Sequence, residues 1–223
     1  MRGTSASGRE DAILRLRMAV LERDIAQGVS ILKKGGVIAF PTDTVYGLGS
    51  NAFNTMAVER IYQIKHRSKS QPFPLLIAHV RQLTALAESV PDIAWFFADR
   101  FWPGGVTLVL SKADSVPAYV APGSTLAVRV PDHPICLTLL ERLDGPLIGT
   151  SANISGHPAA LTADEVRQQL EERVDLVIDG GRCPGGKEST VLDVTVEPPV
   201  VVRRGIVPSH DIDRAYHDYL EAE

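Results

Sequence analysis

Several features are scarce in this sequence, and each scarcity removes a class of protein. Its 223 residues hold two cysteines, Cys136 and Cys183, far apart and without paired spacing. That excludes a disulfide framework and points to a reducing, cytoplasmic setting. No run of 18 apolar residues occurs, so neither a transmembrane helix nor a membrane partner is expected. Residues 1–11 lack the apolar core of a signal peptide. A basic excess is missing too: the formal net charge is −4, so RNA or DNA is not the default partner. The 6 histidines and 2 cysteines show no Cys-x-x-Cys or His-Glu-x-x-His spacing, and no metal site is read from them. Internal repeats and low-complexity segments are absent. What remains is 44% hydrophobic, enough to bury one sizeable core.

The organising stretch is residues 35–67, GGVIAFPTDTVYGLGSNAFNTMAVERIYQIKHR. Residues 37–40 form an apolar run bounded by Gly and Pro, too short for a helix and therefore a buried strand. Pro41-Thr42-Asp43-Thr44 follows, then Gly47-Leu48-Gly49, which reads as a glycine-spaced turn. Thr42 and Thr44 share one parity, so on an extended chain their hydroxyls point the same way. The spacing predicts a helix over 54–66, with Asn54 or Thr55 as N-cap and Val58, Ile61, Tyr62 and Ile64 near one face. That helix delivers Lys65, His66 and Arg67 together at its end. Paired hydroxyls near paired cations suit a polar, anionic ligand.

Residues 1–10 are small and polar and are expected to be disordered. Leu14, Leu16, Met18 and Val20 alternate with arginines, which suits an edge strand; Leu21, Ile25, Val29 and Leu32 recur at helical spacing up to Gly35-Gly36. Further strands are predicted over 74–78, 106–111, 125–130, 146–150, 174–178, 190–194 and 200–203. Helices are predicted over 80–89, 91–102, 132–143 and 162–172, the last opened by a Thr162/Glu165 capping box. The tail, 210–223, carries a short helix from Asp211. Strands and helices alternate early and strands follow strands late, so the class is a mixed-sheet α/β fold in one domain over 11–209. The aromatic residues of 95–102 read as core packing, and His79 as a strand-end histidine.

Two lookalike motifs fail their context tests. Residues 181–187 (GRCPGGK) match a phosphate-binding loop up to Lys187, but Glu188 stands where Ser or Thr belongs and a strand follows where a helix must. Lys187 is therefore expected to be dispensable for phosphate binding. Gly149-Thr150-Ser151-Ala152-Asn153 is one residue short of a nucleophile elbow, with no helix predicted to follow at once. Several polar residues keep two readings. Lys65 and Arg67 suit either a ligand or a solvated helix end favoured by the macrodipole. Arg129, between Val128 and Val130 on a strand, faces either a ligand or a structural carboxylate. Ser151 with Asn153, and Ser189 with Thr190, have the composition of turn residues capping their own backbone.

Taken in order, PTDTVYGLG, IYQIKHR, FWPGGVTLVL, TLAVRVPDHP, TSANISG, DGG…ESTVLDVT and VRRG closely resemble the YrdC-like family of threonylcarbamoyl-AMP synthases, over residues 22–208. The resemblance implies a twisted open α/β sheet with a concave basic face. It implies synthesis of threonylcarbamoyl-AMP from L-threonine, bicarbonate or CO₂ and ATP, with release of pyrophosphate. Mg²⁺ would be bound through the ATP phosphates. The product would pass to threonylcarbamoyl-transferase proteins for tRNA modification, with weak tRNA contact of its own. By position, Lys65, Arg67, Thr125, Asn153 and Arg203 would bind ATP, and Thr42, Arg129, Ser151 and Ser189 would bind threonine. No covalent nucleophile or general base is implied.

The chain departs from the family pattern at Ser68, at Gln71-Pro72-Phe73-Pro74 and at Arg204, which replaces a usual proline and leaves Arg203 and Arg204 as alternatives. Ending at Glu223, it is expected to lack the C-terminal domain of longer members. The carbamoyl-transfer domain of hydrogenase maturation factors is a competing reading, but it calls for zinc-finger and acylphosphatase-like segments not seen in this sequence. A double-stranded RNA or tRNA-binding module on the same fold is the alternative of a different class.

Overall fold

The computed structural model describes residues 6–222, and it opens on one long helix, α1 (Ala6–Lys33). Of the stretch 1–10 expected to be disordered, 1–5 lie outside the described residues and 6–10 already belong to α1. The edge strand expected near 14–20 is part of this helix as well. The alternation there was incidental: Leu14, Met18 and Leu21 lead at helical spacing into Ile25, Val29 and Leu32, so one stripe runs through the whole helix. Only the second half of that stripe is buried, against α5, introduced below. Leu14 and Met18 stay 58% and 64% exposed.

Strand β1 (Ile38–Phe40) follows and pairs antiparallel with β2 (Gly47–Gly49). The expected glycine turn at 47–49 is thus a strand, and the turn lies before it at 41–46. The reason is steric. Phe40 lies opposite Gly47, and a Cβ at Gly47 or Gly49 would come within 2.9 or 2.8 Å of the Phe40 ring. The glycines are spaces for an aromatic ring rather than hinges.

Helix α2 (Thr55–Lys65) is capped by Asn54, whose Oδ1 accepts from Ala57 N at 3.0 Å. It buries Val58, Ile61, Tyr62 and Ile64, as the spacing requires. The short β3 (Leu75–Leu76) leads through a 3₁₀ turn (Val80–Gln82) into α3 (Leu83–Leu86). The helix expected over 80–89 stops early because tertiary pairing captures its end. Ala87 bridges to Lys112 and Glu88 N donates to Ser111 O.

Then come α4 (Asp92–Phe101), β4 (Val106–Ser111), β5 (Thr125–Arg129), α5 (Pro134–Leu143), β6 (Leu147–Ile148) and β7 (Thr150–Ser151). Helix α6 (Ala163–Leu170), β8 (Leu176–Val177), β9 (Thr190–Asp193), β10 (Val200–Arg203) and α7 (Ser209–Ala222) complete the chain. Glu165 N donates to Thr162 Oγ1, while Glu165 Oε2 reaches back to Leu161 N, one residue beyond a standard capping box. The aromatic stretch is core, as expected. Phe97 is fully buried, and Phe96 meets Tyr219 of α7 edge-on.

The strands form two mixed sheets, ordered β7-β2-β1-β8 and β10-β9-β4-β5-β3-β6. The first pairs β1 with β8 in parallel, and the second pairs β4 with β9 and β3 with β5 in parallel, with antiparallel neighbours elsewhere. They meet where Ile148 N donates to Ser50 O and Asn51 bridges Leu147. One core fills the space under α2 and α4. A second joins α1 and α5 to the back of β1. Among the described residues no helix is long and apolar enough to cross a membrane.

Gly49→Ala is expected to lower stability by about 1–3 kcal/mol, read as a lower denaturant midpoint at unchanged slope. Its Cβ would lie 2.5 Å from Ile148 O as well as close to Phe40. The nearest neighbours of a Gly47 Cβ are all atoms of the Phe40 ring, so Phe40→Leu should reduce the cost of Gly47→Ala more than that of Gly49→Ala, which keeps its clash with Ile148 O. Equal relief at both sites would refute this account of the glycines.

Candidate active site

The β1–β2 turn brings its two hydroxyls together, through a bent segment and not the extended chain that their shared parity assumes. Thr42 Oγ1 lies 2.9 Å from Thr44 Oγ1, accepts from Thr44 N at 3.1 Å and donates to Val45 O at 2.6 Å. A threonine that folds its hydroxyl back onto the next residues makes a rigid turn. Tyr46 then ties this turn to the glycine-rich loop: its hydroxyl donates to Gly181 O and accepts from Gly180 N. Burial pushes that phenol up to about 12.

Arg129 ends β5 and points into the same turn, only 6% exposed. Its Nη2 donates to both carboxylate oxygens of Asp43 at 2.6 Å, Nη1 to Thr44 Oγ1 at 3.1 Å and Nε to Gly104 O at 2.7 Å. Of the two partners considered for it, the structure supplies the carboxylate. Burial lowers the Arg129 pKa and the Asp43 charge opposes that shift. Asp43 was not singled out from the sequence. Its signal was an acid in a Pro-Thr-Asp-Thr turn in a chain that also held an arginine between valines.

Lys65 is not a solvated helix end. It is 2% exposed, and Nζ donates to Ser151 O at 2.5 Å, Asn153 O at 2.9 Å and Asn153 Oδ1 at 3.0 Å. An ammonium has three donors, and here each meets an oxygen of the 151–153 turn. Asn153 Nδ2 donates in turn to His157 O at 2.5 Å. Burial, with the Arg67 charge second, brings the Lys65 pKa down to about 8. Ser151 stands in β7 with no helix directly after it, so the nucleophile-elbow reading stays rejected.

Arg67 differs from its neighbours. It donates to Pro72 O at 3.1 Å and lies 4.8 Å above the Phe73 ring, but its buried Nε has no partner. Among the described residues no carboxylate pairs with it. Across the cleft Arg203 is held by Ser189, through O at 2.9 Å and Oγ at 3.1 Å, and by Glu188 Oε2 at 3.0 Å. Ser189 Oγ also lies 2.8 Å from Thr107 Oγ1, which joins β9 to β4. Gly205 permits this crossing, since a Cβ there would sit 2.3 Å from the Ser189 carbonyl carbon.

These residues enclose a cleft between the two sheets in two connected parts. The inner part, about 90 Å³, is lined by Thr42, Arg129, Ser151 and Ser189 among others. The outer part, about 600 Å³, is lined by Lys65, Asn153, Lys187 and Arg204. Arg67, Ser151, Glu188 and Arg203 belong to both. Eight of the nine expected site residues therefore meet, and Thr125 does not. It pairs with Ser111 at the far end of β5 from Arg129 and lines neither part. Both Arg203 and Arg204 face the outer part, and only Arg203 the inner. The 181–187 loop runs into β9 and not into a helix, so it is no phosphate-binding loop of the P-loop kind. Lys187 itself lines the outer part. Among the described residues no group of three or more His, Cys, Asp or Glu side chains could hold a metal ion.

Fold and cleft define a mixed α/β domain with a cation-lined cleft between its two sheets. The Sua5/YciO/YrdC family model, described as telomere recombination, matches residues 30–205, and the chain belongs to this family. It is 41% identical over 203 residues to the threonylcarbamoyl-AMP synthase of Pyrococcus abyssi, covering 91% of this chain and 60% of that protein. The Bacillus subtilis protein of the same name is 41% identical over 191 residues, covering 85% and 55%. The chain thus spans little more than half the length of these curated relatives. The crystal structure of P. abyssi Sua5 complexed with L-threonine superposes with a TM-score of 0.83 at 42% identity, over 86% of this chain and 56% of that one. Escherichia coli YciO gives a TM-score of 0.75 at 36% identity, over 82% and 89%.

Lys65→Ala would strand three buried acceptors, so it is expected to destabilise the fold by about 1–3 kcal/mol, against the tolerance a solvated helix end would show. The charge also sets a pH dependence. The folded-state pKa, about 8, lies below the ordinary 10.5, so between these values the unfolded chain binds more protons and stability rises with pH. Denaturant midpoints measured up to pH 10.5 should shift in favour of wild type over Lys65→Met. A pH-independent difference would show that burial does not lower the Lys65 pKa on folding.

Proposed function

We propose that the chain makes threonylcarbamoyl-AMP from L-threonine, bicarbonate-derived CO₂ and ATP, releasing pyrophosphate, as a nucleotidyltransferase in the cytoplasm. The observation that carries this reading is Arg67, a half-buried cation with an unpartnered Nε at the junction of a small hydroxyl-lined cavity and a wide cationic one. Relatives named for this activity support it, as does the threonine complex of the P. abyssi protein.

In this reading the amino acid occupies the inner cavity. Its carboxylate meets Arg129, which Asp43 and Gly104 hold in a fixed orientation. Its hydroxyl and methyl lie among Thr42, Thr44, Ser151 and Ser189. The free threonine amine has taken up CO₂ and lost a proton to solvent to form a carbamate anion, so the attack itself requires no general base. A carbamate oxygen attacks the α-phosphorus at the junction. The bond from that phosphorus to the bridging oxygen breaks, and the electron pair leaves on pyrophosphate toward the outer cavity. Two anions must approach each other, and Arg67 and Arg203 supply compensating charge at that point.

Glu188 is the one carboxylate among the described lining residues, and it is occupied by Arg203. Mg²⁺ would therefore be carried on the ATP phosphates, where it neutralises charge, rather than held by a protein cage. The product would pass to threonylcarbamoyl-transferase proteins that act on tRNA, with weak tRNA contact at the cleft rim.

The test is pyrophosphate release with ATP and bicarbonate. Threonine should be used well, serine less well by the roughly 1–3 kcal/mol of one methyl, and valine hardly at all, because the polar groups facing the hydroxyl would be left unpaired. Arg129→Lys should impair threonine use more than ATP binding, since an ammonium cannot hold the separate planar donors to Asp43, Thr44 and Gly104. Arg67→Ala should weaken ATP binding by about 1.5–3 kcal/mol without loss of fold, having only the exposed Pro72 hydrogen bond and the contact with the Phe73 ring to lose. Equal rates with valine and threonine would sink the threonine assignment. Salt-dependent RNA binding with no pyrophosphate release would favour an RNA-binding module instead.

A further inference from the structure

Besides Lys65, whose donors the 151–153 turn satisfies, the outer cavity holds two cations that the mechanism above leaves unused. Lys187 and Arg204 line only this part of the cleft, both are exposed, and among the described residues neither has an ion-pair or hydrogen-bond partner. They come from different segments and are brought alongside each other by the backbone. Ile206 N donates to Glu188 O at 2.8 Å, and a Cβ on Gly205 would lie 2.4 Å from that same oxygen. Lys187 immediately precedes Glu188 and Arg204 immediately precedes Gly205, so the two basic side chains start from adjoining backbone segments, just before β9 and just after β10.

The cations form a sequence along the cleft. Arg129 lines the inner part alone and is taken by Asp43. Arg67 and Arg203 line both parts. Lys187 and Arg204 line the outer part alone, with no carboxylate against them. In-line displacement at phosphorus places the attacking and leaving oxygens on opposite sides of the reacting atom. A nucleophile that arrives from the inner cavity must then expel its leaving group into the outer one.

We propose that Lys187 and Arg204 form a subsite for the leaving pyrophosphate, equivalently the β- and γ-phosphates of the bound nucleoside triphosphate. This rests on the adenylation reading above and adds residues to it. The two side chains act as an exposed clamp: charged donors that are not already satisfied, reachable from solvent, on the exit side of the reaction. Exposed charges bind a polyanion in a salt-dependent way and release it readily, which suits a product that must leave.

The test is binding of inorganic pyrophosphate by titration calorimetry, without turnover, to wild type and to the Lys187→Ala/Arg204→Ala double variant. Affinity for pyrophosphate should fall about tenfold or more in the double variant, and its salt dependence should flatten. Threonine affinity should be unchanged, and pyrophosphate should become a weaker product inhibitor. Unchanged pyrophosphate affinity would overturn the proposal. So would an equal loss of threonine affinity, which would mean a general field effect. Loss of binding to a short RNA duplex with pyrophosphate affinity retained would likewise overturn it, in favour of a nucleic-acid contact. Wild-type chain that binds pyrophosphate through these two residues yet releases none from ATP would uphold the subsite and refute the adenylation reading, so the two failures are separable.

Discussion

A guanidinium that is almost entirely removed from water costs several kcal/mol unless something replaces its hydration. Arg129 stands in that position, and the arrangement of the cleft follows from how its charge is satisfied. Asp43 meets it with both oxygens, Thr44 and Gly104 take further donors, and Asp43 also accepts from Asp132 N. Those bonds connect the turn of one sheet to a strand end of the other and to the loop after α4. Moving any of them would leave a buried charge uncompensated, so the inner cavity is held in shape before any ligand arrives.

Lys65 solves the same problem with carbonyls in place of a carboxylate. Three oxygens of the 151–153 turn surround its ammonium, and the cost of burial is visible in a pKa near 8. The two buried cations therefore act first on the protein, orienting the loops that carry Thr42, Ser151 and Asn153. Arg67 keeps a donor that the protein does not satisfy. Its guanidinium rests on Phe73 with one donor unpaired, and desolvation, only partly opposed by Tyr62 and Glu188, lowers its pKa. Charge is thus satisfied within the protein at Arg129, Lys65 and Arg203, and left open at Arg67 and at the exposed Lys187 and Arg204 of the rim.

Local elements were legible wherever one pattern dominated. Helix α2, with Asn54 before it and four apolar residues on one face, needed no tertiary information, and neither did β4 or α5. The misreadings arose where two patterns overlapped. Residues 14–20 alternate in polarity and also continue a helical stripe. Gly47-Leu48-Gly49 has the composition of a turn, yet it is a strand whose glycines make room for Phe40. The helix expected over 80–89 gave way to pairing with Lys112, a partner 25 positions after Ala87 that no local window contains.

The site divides the same way. Sequence alone determined which chemistry is present: the hydroxyl pair before β2, the cation pair at the end of α2, the arginine on β5 and the collinear strings that mark the family. It also excluded a P-loop, because a strand had to follow Lys187. Only the tertiary structure decided what each charge touches. Asp43 and Arg129 are 86 positions apart, as are Lys65 and Ser151, and no periodicity links them. It also separated Thr125 from the cleft by the length of β5 and brought Lys187 to its rim. Periodicity and capping act within a few residues, whereas Coulomb partners are set by distance in space, which the chain acquires only on folding.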